Sequence, residues 1–230
     1  MRRIDGEYNW ALHDGEFWKS ASELQVKHEN INFTPLHVPG LSSLFPKGLA
    51  RGILTEITGP RSSGKTSISL HVLAQATARG EVCAVVDLHG RFHPESAALS
   101  GVRLDRLVWV RCLGNAEHAL RAADLLLHAG GFGIVLLDLC EADARILNRI
   151  PISYWHRFRR AVENPPTILL VSGETTQTKP CSSIGLELLP KVFHWSGKSP
   201  LLLLRRIDTE AILRKISRAY PQALSIYLEA

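Results

Sequence analysis

Gly59-Pro60-Arg61-Ser62-Ser63-Gly64-Lys65-Thr66 follows the apolar run Ile53 to Thr58 and opens a helical pattern that runs from Thr66 to Arg79. The spacing fits G-x-x-x-x-G-K-[ST], and strand before with helix after is the context in which this pattern makes a phosphate-binding loop. Glycines let the backbone curl so that successive N–H groups point inward at phosphate oxygens, and the helix starting near Lys65 adds the positive end of its dipole. Lys65 then reaches the β- and γ-phosphates, and the Thr66 hydroxyl is a magnesium ligand. The expected nucleotide cradle is Gly59, Pro60, Arg61, Ser62, Ser63, Gly64, Lys65, Thr66 and Ser67.

A phosphate loop of this kind also needs an acidic residue that holds the magnesium, carried at the end of a neighbouring buried strand. Gly133-Ile134-Val135-Leu136-Leu137-Asp138 supplies one, since Asp138 ends a run that is otherwise interior. Thr66 and Asp138 are therefore the expected metal pair, with ATP and Mg²⁺ as cofactors.

Working outward, apolar β-like runs alternate with helical patterns: Ile53 to Thr58, Thr66 to Arg79, Val82 to Asp87, Leu107 to Cys112, Glu117 to Ala129 and Ile134 to Leu139. Alternation of this kind predicts a parallel sheet covered by helices. Gly80 and Gly130-Gly131 stand where helix ends want a left-handed residue. Ser153 is the expected cap of a short helix from Tyr154 to Glu163, which Pro165-Pro166 ends before a strand from Thr167 to Ser172. Leu201 to Ile207, Ala211 to Arg218 and Leu224 to Leu228 read as three strands separated by Asp208-Thr209-Glu210 and Tyr220-Pro221-Gln222. The expected fold is α/β: a mostly parallel sheet flanked by helices, with an antiparallel C-terminal extension.

At 230 residues, one α/β domain accounts for the chain. Residues 41–230 read as that core. Residues 1–40 read as an appendage and tether, with one amphipathic helix from Asp14 to His28 and the run Thr34 to Gly40 extended or turning. The longest apolar stretch, Gly133 to Leu139, is too short to cross a bilayer, and the N-terminus lacks a signal-like apolar segment, so the expected location is cytoplasmic. Cys83, Cys112, Cys140 and Cys181 have no zinc-like spacing and read as reduced thiols. A net charge of +5 favours a polyanionic partner only modestly.

The stretch Gly48 to Thr66 resembles the entry to the RecA recombinase core, whose own phosphate loop has the form Gly-Pro-x-Ser-Ser-Gly-Lys-Thr. The likeness continues through Cys83 to Asp87 and Asp138, and weakly through Lys215-Ile216 to Tyr227. Within that superfamily the chain is similar to the ImuA family, in Leu49-Ala50-Arg51-Gly52, Ala78 to Val82, Ala119 to Leu127 and Trp155 to Arg160. This resemblance implies a RecA-like core and an accessory role in DNA repair, as part of damage-induced translesion synthesis. Its implied partners are an ImuB-like relative of the Y-family polymerases and an error-prone replicative-type polymerase.

The departures matter as much. Where the resemblance calls for a glutamate that activates water, an ungapped match places His89, so hydrolysis is expected to be weak or absent while ATP binding is retained. Catalytic candidates are His89, Glu95 and Glu174; for the glutamine that senses the γ-phosphate in recombinases, Glu174 and Gln177 both stand. The alternatives are an active DNA-stimulated ATPase of recombinase type and, less favoured, a phosphate-loop kinase.

Two surfaces suggest contacts. Arg145, Arg149, Arg157, Arg159 and Arg160 fall in a stretch without acids, and Arg145, Arg149, Arg157 and Arg160 are the candidates for DNA phosphates, against the plainer reading of a solvated face. Tyr8, Trp10, Phe17 and Trp18 are large apolar groups in a polar N-terminal stretch, suited to docking on a partner, a second copy in self-association, or the chain's own sheet. The loop Gly173 to Ser183 stands where recombinases contact DNA but reads as a plain polar connection.

Overall fold

The computed structural model describes residues 33–36, 41–164, 166–198, 201–215 and 226–229. The expected helix from Asp14 to His28 and the N-terminal aromatics lie outside these residues.

Strands β1 (Phe33–Thr34) and β2 (Leu49–Ala50) form a small antiparallel pair around helix α1 (Leu41–Leu44). The main elements follow in chain order: β3 (Leu54–Thr58), α2 (Lys65–Ala78), β4 (Val82–Asp87), α3 (Pro94–Leu99), β5 (Leu107–Arg111), α4 (Ala116–Ala129) and β6 (Phe132–Asp138). Then come α5 (Ala144–Leu147), α6 (Ile152–Ala161), β7 (Ile168–Gly173), β8 (Ile184–Lys198), β9 (Leu201–Lys215) and β10 (Ile226–Glu229). The eight strands of the large sheet run in the order β10-β9-β8-β3-β7-β6-β4-β5. Every pairing from β8 to β5 is parallel, whereas β9 and β10 each run antiparallel to the strand before.

Continuous apolar strands make this sheet double-faced, because successive side chains point to opposite sides. Cys83, Val85, Ile134, Leu136, Ile168 and Leu170 join a core with α2 and α1. Ala84, Val86, Val135, Leu137, Leu169 and Val171 join a second core with α4 and α6. Helix α4 buries Ala116, Ala119, Leu120, Ala123 and Leu127, one stripe at helical spacing, and Asn115 caps it by accepting from the His118 N–H at 3.1 Å.

Three expectations need correction. Helix α6 starts at Ile152 after Pro151, with Ser153 inside its first turn, because Pro151 lacks an N–H and its ring holds φ near −62°, which suits a helix start. Asp208-Thr209-Glu210 is no turn; it lies within the single strand β9. Thr209 is buried, Asp208 pairs with His194 and Arg206, and Glu210 pairs with Lys191 of β8, so cross-strand partners absorb the polar triplet. The 15-residue strand β8 was not expected at all; Gly185, Pro190 and Gly197 break its pattern, and the register shifts at Pro190/Val192 mark the irregularity.

Candidate functional site

The buried strand β3 ends at Thr58, and the next residue, Gly59, has a φ of 153° and a position that leave no room for a side chain: a Cβ would lie 2.3 Å from the Leu188 carbonyl oxygen. The loop turns at Ser62 (φ 58°) and at Gly64 (φ 93°), and α2 begins at Lys65 with its N-terminal amides at the loop. Arg61 to Ser67 line a cavity of about 400 Å³ together with Cys140, Glu141 and Ile207. Lys65 is buried, its ammonium donating to the Gly59 and Pro60 carbonyls at 2.5 and 2.7 Å. Those bonds fold the lysine onto its own loop.

A second cavity, about 330 Å³, adjoins the first and shares Thr66, Cys140 and Glu141 with it; Asp138, Ser172, Ser69 and the Arg91-Phe92-His93 segment complete its polar side. Parallel pairing places Asp138 at the sheet end beside Asp87 on one side and Ser172 on the other. Burial pushes the Asp138 carboxyl above the usual carboxylate range; the Cys140 N–H at 3.0 Å and the Lys65 charge pull the other way, and Asp87 adds to the rise. The expected trio of Lys65, Thr66 and Asp138 is thus assembled in one cleft. Cys140 stands there too, with Sγ 3.3 Å from Ser172 Oγ, and burial with the Asp138 charge pushes its thiol up to about 12, which keeps it protonated.

The catalytic candidates fare differently. His89 is exposed and faces Gly114, at the β5–α4 connection, and lines neither cavity. Glu95 is exposed in the first turn of α3, where its charge suits the helix dipole, and it too lies outside both cavities. Glu174 approaches the phosphate loop through Arg61 at 3.8 Å. Gln177 is turned into the protein: its backbone N–H and that of Thr178 donate to the buried Glu56 carboxylate at 2.7 and 3.0 Å. The loop after β7 is therefore pinned to β3, the strand that leads into the Gly59 to Thr66 loop.

Glu141 escaped the sequence reading, although it lines both cavities. At φ 62° and 17% exposed, it pairs with Arg61 of the phosphate loop at 3.0 Å and with Arg91 of the loop after β4. Its only signal was an acid three residues past Asp138, at the strand-end edge where open α/β sheets bind ligands. Asp87, by contrast, serves structure: it accepts from the Gly90 and Phe92 N–H groups, each at 2.8 Å, and from Trp109 Nε1 at 3.2 Å, and so shapes the loop that presents Arg91.

Of the basic stretch, Arg145, Arg149, Arg157, Arg159 and Arg160 are all exposed. Arg157 is paired with Asp124 of α4 at 2.8 Å and stacks on the Tyr154 ring at 4.9 Å, so part of its charge is already answered. Among the described residues no helix is long and apolar enough to cross a membrane.

Fold and site together define an α/β protein with a mostly parallel sheet flanked by helices and a glycine-bounded loop that leads into α2. The model of the RecA N-terminal domain matches residues 29–145, just over half the chain. The chain belongs to the RecA family. It is 43% identical over 95 residues to Protein RecA of Cutibacterium acnes, covering 41% of this chain and 27% of that protein. It is also 43% identical over 143 residues to the mitochondrial DNA repair protein recA homolog of Dictyostelium discoideum, covering 62% of this chain and 31% of that one. The match thus spans about a quarter to a third of these relatives' length. The crystal structure of the RadB recombinase superposes with a TM-score of 0.64 over 85% of this chain and 94% of that one; at 20% identity this similarity speaks for the fold.

Proposed function

We propose that this chain is a cytoplasmic, RecA-like, ATP-binding accessory protein of the ImuA kind, in which nucleotide sets assembly with partners in damage-induced translesion synthesis. The observation that carries it is an asymmetry in the site. Lys65, Thr66 and Asp138 converge on one cleft, while His89, which stands where the resemblance calls for the water-activating carboxylate, faces away from it. Such a site is suited to holding a nucleotide and poorly equipped to spend it.

ATP would supply the phosphates and share their charge with the magnesium ion. Lys65 would exchange the Gly59 and Pro60 carbonyls for phosphate oxygens, and the first amides of α2 would complete the cradle. The Thr66 hydroxyl and the Asp138 carboxylate would hold the hydrated metal. Arg61 and Arg91, now shared by Glu141, stand ready to balance the added negative charge.

Partners of the reading are an ImuB-like relative of the Y-family polymerases and an error-prone replicative-type polymerase, with DNA at Arg145, Arg149 and Arg160. The supports are the RecA-family membership and the sequence likeness to ImuA in Trp155 to Arg160, where α6 displays exposed cations over a buried Trp155-Phe158 pair.

Calorimetry with ATP and magnesium tests the core of the proposal: Lys65→Ala is expected to abolish or greatly weaken binding, and equal affinity for the two proteins refutes it. A second reading, an active ATPase, is favoured by Glu174 and Glu141 beside the phosphate-loop Arg61. Steady-state phosphate release above about 1 per second, near the lower end of typical enzyme rates, would select that reading.

A further inference from the structure

The region shared by the two cavities is bridged by charges from separate loops. Glu141, just past β6, is held by two guanidinium groups at once. Arg91, from the loop after β4, grips it as a fork: Nη1 donates to Oε1 while Nη2 pairs with Oε2. Arg61, from the Gly59 to Thr66 loop, brings its own Nη2 to the same Oε2 at 3.0 Å. Glu141 keeps this place at φ 62°, a left-handed backbone that a glutamate adopts only at a cost. Its carboxylate is mostly covered, whereas the side chains of Arg61 and Arg91 are 72% and 60% exposed, free to turn toward another anion.

A guanidinium fork suits phosphate as well as carboxylate, because each presents a pair of oxygens to two parallel N–H groups. The Glu141 carboxylate therefore marks an anion position that a phosphate can take over.

Sheet order decides which phosphate that is. The strands run β3-β7-β6-β4, so their ends carry in turn the Gly59 to Thr66 loop, Ser172, Asp138 and the loop with Arg91. Arg91 lines the cavity that holds Thr66 and Asp138, and it is absent from the lining of the cavity formed by Arg61 to Ser67. A nucleotide seated on the loop, with magnesium at Thr66 and Asp138 bridging its last two phosphates, points its terminal phosphate toward Arg91. A diphosphate lacks that group. The backbone around Arg91 is also preset: Asp87 accepts from the Gly90 and Phe92 N–H groups on either side of it, and Phe92 packs on Trp109 with ring centroids 5.5 Å apart. Only the side chain has to move, which keeps the ordering cost of binding small.

We propose that Arg91 is the residue by which this site tells ATP from ADP. The terminal phosphate displaces the Glu141 carboxylate from the Arg91 fork; without that phosphate, Glu141 keeps the fork occupied. The assignment, which rests on the proposed binding of nucleotide in this cleft, places triphosphate selection outside the Gly59 to Thr66 loop.

Calorimetry with magnesium and either ADP or ATPγS, a slowly hydrolysed analogue, tests it. Glu141→Gln removes the competing charge, and in that background Arg91→Ala should weaken ATPγS about tenfold and ADP less than about threefold. Arg91→Lys, which keeps the charge but not the fork, should also weaken ATPγS more than ADP. Retained ADP binding shows that each variant has kept the cleft, since a merely structural role for Arg91 would weaken both ligands together. A loss shared equally by ADP and ATPγS, no loss for either, or a lysine variant that binds ATPγS as tightly as its Glu141→Gln parent would overturn the assignment while leaving the cleft a nucleotide site. Unsubstituted protein that binds neither ligand would overturn the nucleotide reading, and the role of Arg91 with it.

Discussion

Replacing Asp87 with asparagine removes a charge and one acceptor from a carboxylate that is 1% exposed and holds three donors. The amide oxygen can stay where Oδ2 accepts from Phe92 N–H and Trp109 Nε1, but the amide nitrogen then faces the Gly90 N–H, donor against donor. One bond to a charged acceptor is lost and one donor is stranded, which costs about 2–3 kcal/mol. Alanine strands all three donors and costs about 4–6 kcal/mol, a large part of the roughly 5–15 kcal/mol that holds a domain folded. Urea unfolding reads this directly. With a slope of about 2 kcal/mol per molar, Asp87→Asn should lower the midpoint by about 1 M at unchanged slope. Because the same loop carries Arg91 and His93 into the second cavity, magnesium-nucleotide binding should weaken alongside. An asparagine variant within about 0.5 kcal/mol of the parent, or an alanine variant no worse than asparagine, would refute the account of Asp87 as the loop's anchor.

Three further outcomes follow from the site and its scaffold. Glu141→Gln should tighten ATP binding about three- to tenfold, because phosphates no longer compete with a carboxylate for Arg61 and Arg91; both arginines are largely exposed, so the gain stays small, and calorimetry showing weaker binding would reverse Glu141's role. Asp138 has a folded-state pKa raised by burial, so its ionisation opposes folding: the stability it permits is full below the ordinary carboxylate pKa and lost as pH rises through the raised value. Asp138→Asn should therefore raise the melting temperature of the nucleotide-free protein at neutral pH, with the advantage fading in acid, and should abolish stabilisation by magnesium with ATP. Gly133→Ala should destabilise by about 3–5 kcal/mol in thermal unfolding, since its Cβ would fall 1.9 Å from the Glu81 oxygen that the buried Arg51 side chain holds, while Arg79 holds the other oxygen, and moving the carboxylate breaks a buried ion pair.

Local chemistry made much of this protein legible before any coordinates. The turn from β3 into α2 is contiguous in the chain, so the glycine-bounded loop Gly59 to Thr66 can be placed from spacing alone, and strands buried on both faces announce themselves as unbroken apolar runs such as Ile134 to Leu137. Asp138 was readable for the same reason, as a carboxylate ending such a run. Residues that act through partners far away in sequence were not. Glu141 gains its place from Arg61 and Arg91, and Glu56 from the amides of Gln177 and Thr178, more than a hundred residues on. His89, expected from the resemblance at the position of the water-activating carboxylate, stands instead beside Gly114 on the loop that Asp87 anchors. The middle of β9 was hidden because a polar triplet looks like a turn until cross-strand partners answer its charges, and β8 because Gly185, Pro190 and Gly197 break its pattern. The glycine-bounded loop into α2, the strand-end carboxylate and the alternation that builds a parallel sheet are properties of neighbours along the chain and so were legible in it. Only the tertiary structure decided which carboxylates face the cleft, because that depends on pairing between strands and on the desolvation and ion pairing that come with it.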